Sequence, residues 1–187
     1  MEKAIRNMIW TRRFISAAIV QGTIIVGLTI FLILGQISLI KPDISRVIAA
    51  GGVGTWFTFG FILYIVVGVI GIVVSALFYL YIERIIGKQY KEHSVATVAA
   101  WIHLIFMNMG TTASMSMLMF AGYIGGAAML PISVGGRALN PGQVHELIGS
   151  FVEPIVVAIL VLLFGVICGG LGFLLVHRQN SIITKNN

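Results

Sequence analysis

His103 stands in the stretch Trp101-Ile-His-Leu-Ile-Phe-Met-Asn-Met-Gly110, a hydrophobic run in which an imidazole is out of place. Such a side chain can ligate haem iron or a metal, shuttle protons, or hydrogen-bond across helices. The chain keeps nearly all its ionisable groups out of its apolar runs, so each exception is a candidate functional site. Glu153 is a second exception, near the start of the last apolar run. Ser150 and Glu153 match a capping box, with Pro154 in an early turn. The other reading is a proton or cation site on the outer side, with Arg137, His145 or Glu146 nearby. Cys168 is the only cysteine, which leaves no disulfide within the chain and no cysteine-based metal motif. Six of the eight methionines fall between 107 and 129. Thioethers can ligate haem iron or Cu(I), but the alternation 107/109 and 115/117/119 spreads them around a helix, as packing filler requires.

The elements that must position these residues are membrane spans. The chain is 58% hydrophobic and only 10% charged, against roughly 25% charged in a soluble domain. Its apolar residues come in blocks of at least ~18, the length that crosses a bilayer. The pattern predicts one all-α membrane domain over residues 1–187, a four-transmembrane-helix bundle with spans at about 14–37, 56–82, 95–121 and 151–176. The apolar core after the basic residues 1–13 is too long for a signal peptide, so it is read as a retained first span. Ser94 is placed to cap the third span. That span is expected to end near residues 121–126, because a helix reaching Met129 would overshoot the hydrocarbon. Nine of the twelve Lys and Arg residues lie at the termini and in the second loop. The positive-inside rule then puts both termini in the cytoplasm, with the chain in the cell membrane. The same rule accounts for the net charge of +6 without nucleic acid.

Two loop segments carry further signals. Residues 42–50 place Ile44, Val47 and Ile48 on one helical face and Asp43 with Arg46 on the other, the pattern of a short helix lying on the bilayer surface. Asn140-Pro141 resembles an N-cap followed by proline at the first helical position, which predicts a short helix through 144–148. The third loop is long and rich in glycine (Gly122, Gly125, Gly126, Gly135, Gly136, Gly142), as functional or mobile loops are.

Helical spacing puts Ala96, Ala99, His103, Met107, Gly110, Ser114, Met117 and Ala121 on one face, a stripe of small and polar residues that turns His103 into the bundle. Counted from the span ends, Gln21, Ser75, His103 and Cys168 each lie roughly 10–12 Å inside the cytoplasmic boundary, one per span. They form a candidate intramembrane polar layer, in which His103 is packing glue, a haem or metal ligand, or a proton-handling group. Gly165, Gly169 and Gly172 on the fourth span, and Gly68, Gly71 and Ser75 on the second, suit close packing within the bundle or against another subunit.

His103, followed by a span that ends Phe120-Ala-Gly-Tyr-Ile-Gly-Gly-Ala-Ala-Met-Leu-Pro131, resembles a helix of the haem–copper oxidase catalytic subunit. The resemblance covers the third span and its exit. It implies haem ligation by a His-x-His pair, of which this chain has only His103, with Trp101 at the other position. It also implies copper ligands on other helices, whereas His93, His145 and His177 all lie in loops or at span ends. A complete haem–copper centre is excluded, and a bis-histidine haem would need a second chain. No loop holds a nucleophile–base pair, a ligand cluster or a nucleotide motif. The expected function is a non-catalytic accessory or assembly subunit of a larger, respiratory membrane complex, in contact with the lipid bilayer and with other membrane subunits or further copies of itself. The alternatives are a haem- or quinone-linked electron-transfer protein using His103, and a small transporter or proton conductor using His103 and Glu153.

Overall fold

A computed structural model describes residues 8–86 and 94–185. The side chain of Ser94, and with it the expected cap, lies outside the described part, as do the side chains of Lys3, Arg6, Lys88, Lys91, His93 and Lys185. Helix α1 (Ile9–Leu34) ends in a π turn (Gly35–Leu39). A short α2 (Ile44–Ala49) and a 3-10 turn (Gly52–Gly54) lead to α3 (Thr55–Leu63), which continues through a π-helical segment (Tyr64–Gly71) into α4 (Ile72–Ile86). Then come α5 (Ser94–Met129), a 3-10 turn (Ile132–Val134) and α6 (Pro141–Lys185). Among the described residues four rods are long and apolar enough to cross a membrane, Ile9–Ile37, Gly52–Arg84, Val95–Met129 and Pro141–Arg178. A helix is the one open-chain form that satisfies every backbone polar group from within in hydrocarbon, which is why these runs are helical despite their many β-branched residues. The π-helical segment falls where Gly68 and Gly71 interrupt a run of Ile and Val, residues that crowd a regular helix.

α5 is the centre of the bundle. It packs along the length of α6 and against α3, while α1 packs on α4 and the π-helical segment. The α5–α6 pair is antiparallel, with Gly172 beside Ala99 at one end and Gly125 beside Ile148 at the other. The buried residues of α6 (Val144, Ile148, Ile155, Ala158, Leu162, Gly165, Gly169, Gly172, Val176) recur at steps of three and four, with one step of seven from Ile148 to Ile155, the 3.5-residue period of a left-handed coiled coil. They meet the expected His103 face of α5, where Ala96, His103, Met107, Gly110, Ser114 and Ala121 are buried and Ala99 and Met117 partly so. Glycine sets the spacing of the pair. A Cβ on Gly110 would lie 2.6 Å from the Leu162 amide nitrogen, and one on Gly165 would lie 2.9 Å from that of Met107.

Away from the termini the structure corrects three expectations. α5 does not stop at 121–126 but runs to Met129, because protein rather than lipid covers its last turns. Gly122 abuts the Trp56–Phe57 backbone, Gly125 meets Val53 and Ile148, and Gly126 meets Val47 and Gly54. α2 is the short helix expected, with its apolar face turned onto the protein. Its Ile44 and Val47 are buried in the bundle, and an Asp43–Arg46 ion pair at 2.9 Å occupies its outer face. The Gly-rich loop is shorter than expected, since Gly122, Gly125 and Gly126 belong to α5 and Gly142 to α6.

The third correction concerns the last span. The helix expected at 144–148 and the span expected from 151 are one helix beginning at Pro141. Its cap is at Asn140, whose Oδ1 accepts from the Gln143 amide while the Asn140 amide donates to Gln143 Oε1, both at 3.0 Å. This reciprocal pair is a capping box with glutamine as its third helical residue. Ser150 and Glu153 lie in the helix interior with Glu153 exposed, so they cap nothing. Pro154 sits inside the helix as well, where it has no N–H to give the Ser150 carbonyl.

Candidate functional site

His103 lies where α1, α4, α5 and α6 meet. Its ring is 5.0 Å from that of Phe14 on α1 and 5.9 Å from that of Tyr79 on α4, centroid to centroid. Gly169 on α6 lies against the imidazole, and a Cβ there would fall within the ring's own volume. Nε2 is 3.4 Å from Ser75 Oγ and Nδ1 is 3.3 Å from the Tyr79 hydroxyl. Ser75 Oγ also donates to the Gly71 carbonyl at 2.9 Å. With that proton placed on Gly71, the neutral imidazole donates from Nε2 to Ser75 and accepts at Nδ1 from Tyr79. The result is one directional chain, Tyr79 to His103 to Ser75 to Gly71. In its reversed form Ser75 donates to His103, His103 donates to Tyr79, and the Tyr79 O–H turns to another acceptor.

The four residues of the expected polar layer separate into two levels. Ser75 and His103 are in contact, and Tyr79, which the sequence pattern did not single out, completes their set. Gln21 is seven residues beyond Phe14 on α1, so it sits roughly 10 Å farther into the bundle. There its Nε2 donates to Asn108 Oδ1 and Thr112 Oγ1 at 3.0 Å each, and its Oε1 accepts from the Tyr64 hydroxyl. Asn108 and Thr112, four residues apart on one face of α5, were the available signal for this second cluster. Cys168 is partly buried, and its neighbour Gly169 is the residue of α6 that meets His103. Gly165, Gly169 and Gly172 all face α5, so this small-residue face is occupied within the chain. On the second span Gly68 meets Thr111 and Gly71 meets Met107.

A cleft of about 360 Å³ lies between α4 and α6, with Ser75, Tyr79 and His103 among its lining residues. Its rim includes Val74, Phe78, Val166 and Gly170, all exposed on the flank of the bundle rather than at an end. The opening is therefore lateral, on the apolar flank of the bundle. Gly169 and Gly170 divide two tasks: the first is filled by the imidazole, and the second has open space where a side chain would go.

At the end of the bundle where α1 begins, Glu83 of α4 does work that its place at a span boundary did not reveal. Its carboxylate accepts from the Trp10 amide at 2.8 Å, the Thr11 amide at 3.1 Å and the Thr11 hydroxyl at 2.7 Å. α1 has no side-chain cap from its own N-cap residue, so a carboxylate 72 residues away satisfies its first amides and its positive dipole end. Beside it the Arg13 guanidinium lies over the rings of Trp10 and Trp101, at 4.6 and 4.3 Å.

Both nitrogens of the His103 ring face partners within the bundle. Each ring nitrogen meets a hydroxyl, and among the described residues no group of three His, Cys, Asp or Glu side chains could hold a metal. His145 is exposed near the start of α6, and His177 stacks on Phe173 at 6.0 Å. Glu153 and His103 do not converge either, since Glu153 is sixteen residues along α6 from Gly169, roughly 24 Å. No protein-family model, curated protein or solved structure matches the chain.

Proposed function

We propose that this protein is a non-catalytic accessory or assembly subunit of a larger membrane complex, a respiratory one on the resemblance of its third span, with both termini in the cytoplasm. The observation that supports it is the one-sided packing of α6. This helix lies along α5 and touches α4 only slightly. On its far side Val157, Leu160, Phe164, Ile167, Leu171 and Leu174 are all more than half exposed, again at steps of three and four. A self-contained four-helix bundle holds each helix between two neighbours, whereas α6 has a second flank with the length and spacing of another seam. The native mass after gentle extraction from the protein's own membranes tests the reading. A discrete assembly containing other polypeptides is expected, and this chain alone, singly or as a homo-oligomer, would overturn it.

The cleft favours a second reading, a binding protein for a lipid-soluble ring compound of the quinone class. The flat glycine wall at Gly169–Gly170, the aromatic Phe78 and the chain of hydroxyls and imidazole match a planar ring with a carbonyl acceptor, which the reversed chain would serve through Tyr79. Because Gly170 borders open space, Gly170→Phe should plug the cleft without disturbing the fold. A short-tailed quinone added to the purified protein should quench Trp10, whose ring is 6.1 Å from that of Tyr79, and Gly170→Phe should abolish the quenching. Equal quenching in that variant would rule the ligand out of the cleft.

A further inference from the structure

A separate groove of about 430 Å³ runs between α1 and α5 at the end of the bundle where α1 begins, lined by Ile9, Arg12, Arg13, Ser16, Trp101 and Leu104. Neither Arg12 nor Arg13 has an ion-pair partner among the described residues. Among the described residues the carboxylate of this region is that of Glu83, which is hydrogen-bonded to the start of α1. Arg13 is held in place by two indoles that meet edge to face, 5.3 Å between centroids and 84° between planes. An arginine in a span-end sequence ordinarily swings freely in the headgroup layer. Here the guanidinium is already positioned, so less ordering remains to oppose a ligand's binding. Arg12 is exposed, and Ser16, one helical turn further along α1, adds a hydroxyl donor. Ile9 and Leu104 make the remaining wall apolar.

One positioned guanidinium, a second exposed one beside it, a hydroxyl and an apolar wall at the end of a membrane span match an amphiphile with an anionic head. Arginine's planar fork pairs with phosphate oxygens in a bidentate way, and α1 carries further exposed apolar side chains beyond the groove, Ile15 and Ile19 among them. We propose that this groove binds the phosphate of an anionic phospholipid between Arg12 and Arg13, with Ser16 donating to it and the start of an acyl chain against Leu104. The site is distinct from the His103 cleft and from the outer flank of α6, and its test is independent of both.

The whole chain is reconstituted in nanodiscs of phosphatidylcholine into which phosphatidylglycerol is titrated, with lipid retention read by native mass spectrometry and binding by Trp fluorescence. Retention of phosphatidylglycerol over phosphatidylcholine is expected, and Arg12→Gln should reduce the preference about tenfold, as loss of a charge-assisted contact does. Arg13→Lys keeps the charge but removes the fork and should give an intermediate loss. Arg84→Gln removes an equal charge from α4 outside the groove and should leave the preference intact. Wild-type preference in Arg12→Gln, or an equal loss in Arg84→Gln, would overturn the site in favour of general surface charge. Inorganic phosphate that displaces phosphatidylglycerol at millimolar concentration would overturn the assignment to a lipid, because the apolar wall would then contribute nothing.

Discussion

Gly110→Ala is expected to destabilise the protein by about 3 kcal/mol, the upper range for forcing extra volume into a packed core. The added methyl group would lie 2.6 Å from the nitrogen and 2.7 Å from the Cα of Leu162. Those are backbone atoms of a neighbouring helix, so no rotamer change relieves the clash and α5 and α6 must move apart. Once they part, the contact of Gly169 with His103 and that of Gly165 with Met107 loosen together. Alanine at Gly27 or Gly149, where nothing lies within 4 Å, serves as the control. There the removal of a helical glycine should leave stability unchanged or raise it by up to about 1 kcal/mol. Unfolding in mixed micelles measures both, and a Gly110→Ala protein as stable as the Gly149→Ala protein would mean that α5 and α6 are not in backbone contact.

Glu83→Ala is expected to cost about 2–3 kcal/mol, since hydrogen bonds to a charged partner count for more than neutral ones and three are lost together. The loss should be local in the first instance. With the carboxylate gone, the Trp10 and Thr11 amides have no acceptor and the first turn of α1 frays. Hydrogen exchange at those two amides should then accelerate well before exchange in the middle of α1. Glu83→Gln, which keeps an acceptor oxygen but loses the charge facing the helix dipole, should fall between the two. Unchanged exchange at Trp10 and Thr11 in Glu83→Ala would show that α1 is capped by something else.

The four spans and the inward face of His103 were legible in the sequence because each depends on one helix and its own periodicity. Contacts between distant residues were not. Nothing local in the segments around Trp10 and Glu83 announces that they share three hydrogen bonds, and Gln21, Tyr64, Asn108 and Thr112 become a cluster only when three helices are placed side by side. Bilayer thickness misplaced the end of α5, because the rule assumes that lipid covers a span to its last turn, and here α2 and the Gly52–Gly54 turn cover it instead. The cap of α6 was misread for a related reason. Two capping patterns lie ten residues apart, and the choice between them rests on Val144 and Ile148, which are buried in the seam with α5 and carry the helix back to Pro141. The cleft was the least legible feature, since it depends on Gly169 being filled and Gly170 being left open.

The flank of α6 is where the subunit reading is most exposed to test. A photo-reactive amino acid placed at Leu160, which is 59% exposed, and activated in the protein's native membranes reports directly on what that flank touches. The predicted result is a discrete adduct with another polypeptide, absent when the same group is placed at Ile19 on the exposed face of α1. Adducts with lipid alone at Leu160 would contradict a partner on α6, and with it the assignment of this chain to a larger complex through that face.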